Sequence, residues 1–249
     1  LGIINNQLKF YLMKQVNFLI AALFLITTSC SNNEGENAAE TASAPVNVHV
    51  NDFSISQEEF GLTRSAEDAA DYTGAKALTL AFYKSNGTQQ YCSTQLKADE
   101  DTYETFGEFA LALPMGSYMM VVAGYGSEVP VVCNSETDIV FGEDKARETF
   151  VYTQNVTVSS TDAIDLSATL NRISSRLTVR SSDNRTADVC SIRLTLAKGG
   201  KGFNPVTGLS TTDAGLDVTI TPSTDVGATT SSIANFFLAT DEEIMDVTI

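Results

Sequence analysis

The chain has 249 residues, enough for one large all-β domain or two domains of ordinary size, and 43% of them are hydrophobic, which is enough to build a core in each. It contains 15 basic and 31 acidic residues, and its formal net charge is −16 at pH 7. Because this acidity repels phosphate backbones and anionic lipid headgroups, it argues against nucleic-acid binding and against membrane attachment through a basic patch.

The N-terminal segment has the layout of an export signal. Met13 and Lys14 look like a translation start with a short charged region, and residues 18–26, FLIAALFLI, form an apolar run of signal-peptide length. A membrane-spanning helix needs roughly 20 apolar residues, and this run meets polar residues on both sides. We therefore predict a signal peptide ending at residue 29, with residues 1–12 as upstream sequence.

Cys30 follows this segment directly, after the small residues Thr28 and Ser29. The arrangement resembles the lipobox of bacterial lipoproteins, in which a peptidase cuts just before a lipid-carrying cysteine, although Thr27 stands where the pattern usually has leucine. The resemblance implies cleavage between Ser29 and Cys30, with acyl chains such as palmitate on Cys30 holding the protein at the outer membrane. Each buried methylene would add about 0.8 kcal/mol to membrane binding. The alternative is an ordinary secreted protein with a coincidental cysteine near its cleavage site.

A polar segment follows the cysteine. Residues 31–44 contain no large apolar side chain and cannot bury enough surface to order themselves, so we predict a flexible tether over residues 30–44. Glu34 and Glu36 resemble the acidic surface-export signal of lipoproteins in Bacteroides-group bacteria. A solvated linker with no signal is the alternative.

From residue 46 onward the chain reads as short alternating strands separated by Gly, Asn, Asp and Ser, which predicts an all-β fold. Residues 46–50, VNVHV, alternate strictly and place Val46, Val48 and Val50 on one face. His49, the one histidine of the chain, falls on the other face. We expect a solvated or edge histidine there rather than a ligand.

Asn86 and Gly87 give the clearest local signal, because this dipeptide tolerates positive φ and suits a tight hairpin turn. It lies in ALTLAFYKSNGTQQYCS, between two predicted strands. Further strands are predicted in EFALALP, SYMMVVA and DIVFGEDKARETFVYTQNVTVSS. Together they predict a β-sandwich of six or seven strands over residues 45–160. The residues expected to face its core include Leu78, Leu80, Phe82, Phe109, Leu111 and Leu113.

A second β-sandwich is predicted over residues 161–249. It opens near Ile164 in IDLSATLNRISSRLTVR, where apolar residues alternate and Arg172 and Arg176 fall on the outward face. The chain stops at Ile249 inside another alternating run, so we expect this domain to be incomplete here.

The cysteines leave two interpretations open. If Cys30 carries a lipid, then Cys92, Cys133 and Cys190 form an odd set, and at least one is free or pairs with another molecule. Alternatively, all three are small buried hydrophobic residues.

Residues suited to catalysis are sparse. One histidine cannot supply the paired ligands of a zinc site, and no cysteine or carboxylate cluster has metal-ligand spacing. The glycine-rich stretch 198–205, KGGKGFNP, lacks the Ser or Thr of a phosphate loop and is predicted to be a wide hairpin or a loop between strands. Acidic groups such as Glu58-Glu59 and Asp99-Glu100-Asp101 lie in polar stretches. We therefore predict no metal, no cofactor and no enzymatic activity.

Several segments together resemble a known family. They are the cysteine followed by acids, KALTLAFYKSNGTQQY, FGEFALALPMGSYMMVVAGYG, IDLSATLNRISSRLTVRSSD, GFNPVTG and NFFLAT. The pattern is similar to the fimbrillin superfamily of Bacteroides-group bacteria, and within it to the FimB/Mfa2-like anchor and minor subunits. This implies two tandem transthyretin-like Greek-key β-sandwiches, displayed on the cell surface and assembled into a fimbria or anchoring it.

The resemblance also implies how subunits join. In that family an extended segment of one subunit completes the sheet of another, and stalk subunits open their groove when a trypsin-like protease removes the first strand together with the lipid anchor. GLTRSAEDAAD offers Arg64 and Ser65 as the processing site, and a plain loop arginine is the alternative. The family parallel also makes Arg172 a recurrent inter-domain position. The expected partners are other fimbrial subunits and a host or bacterial surface ligand.

A second function remains open. The chain could instead be a surface lipoprotein that does not polymerise and whose β-sandwiches bind a glycan or a host protein. The chain contains no tryptophan, whose ring commonly serves as a stacking platform for sugars.

Overall fold

The computed structural model describes residues 42–55, 65–68, 71–143, 145–181, 192–196, 198–211, 216–220, 231–240 and 247–248. Within these ranges the regular structure consists of β-strands and one 3₁₀ turn, Glu100–Thr102, so the all-β class is confirmed. In this part of the chain, no helix has the length and the apolar character that a membrane span requires. The strands are β1 (Ser43–Ile55), β2 (Ser65–Asp68), β3 (Ala77–Lys84), β4 (Gln89–Leu96), β5 (Glu108–Pro114), β6 (Gly116–Tyr125), β7 (Val132–Ser135), β8 (Asp138–Val140), β9 (Thr149–Val158), β10 (Ile164–Arg172), β11 (Ser174–Ser181), β12 (Ile192–Leu196), β13 (Gly202–Phe203), β14 (Leu216–Ile220), β15 (Ser231–Leu238) and β16 (Val247–Thr248).

The largest sheet has eight strands. Seven follow the order β2-β1-β10-β9-β6-β3-β4, and β5 also pairs with β1. β1 and β10 run parallel, with Val46 opposite Ile164, whereas the other described pairings of the sheet are antiparallel. The sheet therefore joins the first described strand to one far along the chain.

Apolar side chains pack on both faces of this sheet. On β3, Leu78, Leu80 and Phe82 enter one cluster, the inner core, as their alternation predicted. Ala81 and Tyr83 point the other way into a second cluster, the outer core. Because successive residues of a strand face opposite sides, a strand covered on both faces is apolar at nearly every position.

The outer core is closed by short strands that lie over the large sheet. β7, β8 and β13 form a separate three-stranded sheet. Phe203 of β13 is fully buried, and its ring lies 5.4 Å from the ring of Phe141. Within residues 198–205, predicted to be a wide hairpin or a loop between strands, Gly202 and Phe203 pair with β8, and the phenylalanine side chain lies in the outer core.

The predicted hairpin at Asn86 and Gly87 is confirmed. β3 and β4 are joined through a turn in which Gly87 has φ 79° and its N–H donates to Lys84 O at 2.8 Å. Asn86 Oδ1 accepts a hydrogen bond from Thr88 N at 3.0 Å. Glycine adopts this left-handed conformation without the steric cost that a Cβ brings.

Two strands lie across the domain limits predicted from the sequence. β1 begins at Ser43, inside the predicted tether, because Ala44 is small enough to enter the inner core and is fully buried. β10, assigned from its pattern to the second sandwich, lies in the large sheet beside β1 and β9. The division into two sandwiches at residue 160 stays a prediction.

The remaining strands form two small sheets. β11 pairs with β15 in one, and the other has the order β14-β12-β16. Arg176 on β11 is exposed, as its position in the pattern predicted. Cys190 lies outside the described residues.

Candidate functional site

β1 lies within the large sheet, between β10 on one side and β5 and β2 on the other. We call the position that these three strands leave for β1 the β1 slot. One edge of β1 pairs with β10 over residues 46–54. Its other edge pairs first with β5, over residues 43–49, and then with β2, over residues 52–55. Both backbone edges of β1 are therefore engaged, as in a strand at the centre of a sheet rather than at its border.

The inward side chains of β1 fill the inner core. Val46 and Val48 are fully buried and Val50 is nearly so, which confirms the face predicted from their alternation. Phe53 is also fully buried, although it is three residues beyond Val50. A β-bulge between Val50 and Asp52 shifts the pairing with β10 by one residue, and this shift turns Phe53 inward.

Phe53 lies at the floor of the slot in an aromatic cluster. Its ring centroid is 5.1 Å from that of Tyr72 and 4.9 Å from that of Phe150. Gly124 on β6 leaves the room that this ring needs, because a Cβ there would lie 2.5 Å from Phe53 Cε1. Fully burying a side chain of this size contributes roughly 1.5–3 kcal/mol.

The outward face of β1 makes only weak contacts. Asn47 Nδ2 donates to Asp165 Oδ1 at 2.7 Å in an exposed position. His49 Nδ1 lies 3.7 Å from Glu108 Oε1, and both side chains are about half exposed. This confirms the prediction of a solvated histidine, and exposed pairs of this kind contribute little. Backbone pairing and the buried side chains thus hold β1 in its slot.

The candidate processing site follows β1 in the chain. Arg64 lies outside the described residues, and Ser65 is the first residue of β2, where it pairs with Ile55 of β1. A cut between Arg64 and Ser65 would separate β1 covalently from β2 and from every later strand. Only backbone pairing and side-chain packing would then hold β1 to the rest of the sheet. Cleavage at this bond stays a prediction.

The other predicted site residues are not part of the β1 slot. Ser29 and Cys30 lie outside the described residues, so signal cleavage and lipidation remain predictions. Arg172, expected on an outward face, is instead largely buried. Its Nη2 lies 3.2 Å from Glu148 Oε1, and its guanidinium sits 5.6 Å from the ring centroid of Phe236. The sequence alternation missed this burial because it does not show what packs over the end of β10.

A cleft lies between β4 and β5 at the margin of the large sheet. Its volume is about 460 Å³, and its lining includes Tyr91, Tyr103 and Glu104 together with His49 of β1. Gln95 bridges the two strands at its base, where Nε2 donates to Glu108 O at 2.6 Å and Oε1 accepts from Gly107 N at 2.8 Å. The cleft offers hydrogen-bonding groups and two half-buried tyrosine rings.

No arrangement suited to metal binding occurs among the described residues, in which no group of three His, Cys, Asp or Glu side chains lies close enough to hold an ion. Asp99, Glu100 and Asp101 lie at the 3₁₀ turn, where all three are exposed. The lack of enzymatic activity stays a prediction.

Solved structures of other proteins superpose on this chain and share its fold. A candidate adhesin from Bacteroides ovatus superposes with a TM-score of 0.51 at 12% identity, covering 88% of this chain and 74% of that one. A second candidate adhesin from the same species gives 0.52 at 12% identity, with 86% and 75% covered. The chain shares the fold of these proteins.

A fimbrial anchor protein has a weaker structural similarity to this chain. The fimbrial anchor protein Mfa2 from Porphyromonas gingivalis gives a TM-score of 0.48 at 17% identity, covering 82% of this chain and 78% of that one. No protein-family model matches the chain, and no curated protein matches it. The all-β class predicted from the sequence agrees with the fold shared with the two candidate adhesins, at low sequence identity.

Proposed function

We propose that the chain is a structural subunit or anchor of a bacterial fimbria, held at the outer membrane by a lipid on Cys30 and joined to other subunits by strand exchange. The observation that carries this proposal is the β1 slot. β1 is paired on both edges and buried along one face, yet it precedes Arg64, so a single cut there would leave it held by pairing and packing alone. A subunit that then lost β1 would also lose the lipid on Cys30, whereas an uncut subunit would keep both.

Strand exchange would use the same contacts that now hold β1. A vacated slot would expose the edges of β10 and β5, which are templates for an added strand. An incoming segment with small and branched apolar residues at alternate positions would replace the buried side chains, while its main chain restored the hydrogen bonds. The apolar pockets would select the register, because a shift by one residue turns the apolar face of a strand outward.

The weak outward contacts of β1 also support exchange. Asn47 and His49 make only exposed polar contacts, so an incoming strand needs no particular charged residue at these positions. Recognition would depend on the apolar pattern and the backbone. The similarity of fold to candidate adhesins from Bacteroides ovatus agrees with a role at the cell surface.

The cleft between β4 and β5 favours the second candidate, a surface lipoprotein that binds a glycan or a host protein without polymerising. Tyrosine rings beside polar side chains suit a sugar, whose ring faces stack on aromatic groups and whose hydroxyls need hydrogen-bond partners. Binding to a glycan array by a strictly monomeric protein would favour this candidate over the fimbrial one.

Replacement of Cys30 by alanine should release the protein from the membrane fraction, because the acyl chains could no longer be attached. The measurement is the N-terminus and intact mass of the protein from membranes of the source bacterium, together with fractionation of the variant. A lipidated start at Cys30 supports an anchor, and a start at Ser65 supports a processed stalk subunit. The matched control Cys92→Ala should stay on the membrane. An unmodified start elsewhere, or a Cys30→Ala protein still bound to membranes, would refute the lipid anchor.

A further inference from the structure

Two cysteines far apart in the chain meet on the outer face of the large sheet. Cys92 lies on β4 opposite Ala81, a residue of the outer core. Cys133 lies on β7 opposite Ile139, another residue of that core, and packs against it. The two thiols are near enough that each shifts the pKa of the other. No disulfide joins Cys92 and Cys133 in this structure.

Cys92 and Cys133 differ in their exposure and in the direction of their pKa shifts. Cys92 is exposed, whereas Cys133 is half-buried beside the hydroxyl of Tyr83. The hydrogen bond from Cys133 lowers the pKa of Cys92 to about 7. The same contact and burial raise the pKa of Cys133. Cys92 therefore carries thiolate near neutral pH at an accessible position, as reactive cysteines do.

The hydroxyl of Tyr83 has no hydrogen-bond partner of ordinary geometry among the described residues, although it is buried. It lies beside Cys133, and burial followed by the charge of that cysteine raises its pKa. The tyrosine therefore stays neutral at physiological pH, and its ring closes the inner side of the cysteine pair. Cys92 is the more exposed thiol of the two and is therefore the one that an oxidant meets first.

We infer that Cys92 and Cys133 form a disulfide site that fastens the β7–β8 hairpin to the β3–β4 hairpin when the protein meets a disulfide-bearing oxidant. This inference goes beyond fimbrial assembly and does not depend on it. The bond would close a loop of about 40 residues over the outer core, and a cross-link of that span stabilises mainly by restricting the unfolded chain.

The chemistry is thiol–disulfide exchange. The Cys92 thiolate attacks one sulfur of the oxidant RS–SR, which gives a mixed disulfide and releases RS⁻. Cys133 then loses its proton to solvent and attacks the Cys92 sulfur, which expels the second RS⁻. Both thiolates take up protons, so the balance is two cysteine thiols and one RS–SR giving one protein disulfide and two RSH. The cysteines lose two electrons, and the oxidant gains them.

The test uses the purified full chain treated with oxidised glutathione and digested with trypsin without reduction. Cys92 falls in tryptic peptide 85–97 and Cys133 in peptide 98–145, and neither peptide holds another cysteine. We expect these peptides to be joined and to separate on reduction. The oxidised protein should melt roughly 5–15 °C higher than the reduced protein.

Single variants report the order of the steps. Cys133→Ser should accumulate glutathione on Cys92, whereas Cys92→Ser should leave Cys133 largely unmodified. The control Cys190→Ser should still form the cross-link. Peptide mapping of the unaltered protein shows whether Cys92 and Cys133 are joined even if a variant folds poorly. A link from Cys92 or Cys133 to Cys190, a dimer joined through Cys92, or no link under oxidation would overturn the inference.

Discussion

Replacement of Phe53 by alanine is expected to lower the free energy of unfolding by about 3–5 kcal/mol, the usual range for a buried phenylalanine. The side chain is fully buried and contacts two aromatic rings, those of Tyr72 and Phe150. Its removal leaves a cavity that Gly124 cannot fill, because glycine has no side chain. Urea denaturation followed by circular dichroism measures the change.

His49→Ala is the matched control on the same strand. His49 lies on the outward face, about half exposed, and its contact with Glu108 is long. Its removal should change the free energy of unfolding by less than about 0.5 kcal/mol. Equal losses from the two variants would show that β1 is not held by its inward side chains, in conflict with the packing of the slot.

Arg172→Met should also be strongly destabilising, by about 3–5 kcal/mol, because it leaves Glu148 largely buried without its partner. The two side chains are only 14% and 16% exposed, so water replaces the lost contact poorly. Methionine keeps much of the apolar stem that packs near Phe236. The loss should therefore report mainly on the ion pair, measured by the same urea denaturation.

A double-mutant cycle isolates this pair. If Arg172 and Glu148 stabilise each other, Arg172→Met combined with Glu148→Gln should cost less than the sum of the two single changes. Arg193→Met is the matched control, because Arg193 pairs with Asp217 while both side chains remain exposed, and it should leave the urea midpoint unchanged. Additive losses in the cycle would contradict a stabilising pair.

The sequence predicted the features that depend on neighbouring residues. Alternation placed Val46, Val48 and Val50 on one face, and the inner core contains all three. Asn86 and Gly87 predicted the hairpin, because a positive φ at Gly87 is a local requirement. Such signals are readable since each depends on residues close together in the chain.

The features that were missed depend on contacts between distant segments. Nothing in residues 43–55 indicates that β10 lies beside β1, or that Arg172 meets Glu148. The approach of Cys133 to Cys92 likewise requires the β7–β8 hairpin to fold against the large sheet, which contains β4. Phe53 was overlooked because the bulge after Val50 breaks the alternation of β1. A two-residue period cannot reveal an irregularity that tertiary pairing imposes.

If β1 is an exchangeable strand, as we propose, the cleaved protein should take up a replacement strand from solution. The purified full chain would be cut with an arginine-specific protease and incubated with a fluorescent peptide of residues 43–55. Gel filtration would then show whether the peptide elutes with the protein. Controls are the same peptide carrying Val48→Asp and the Arg64→Ala protein treated alike.

We predict cleavage between Arg64 and Ser65, followed by retention of the unaltered peptide at one copy per chain. The Val48→Asp peptide should be excluded, because a buried carboxylate has no partner in the slot. The Arg64→Ala protein should keep its own β1 and bind neither peptide. An uncut Arg64 bond, a cleaved protein that takes up no peptide, or equal uptake of both peptides would contradict the claim.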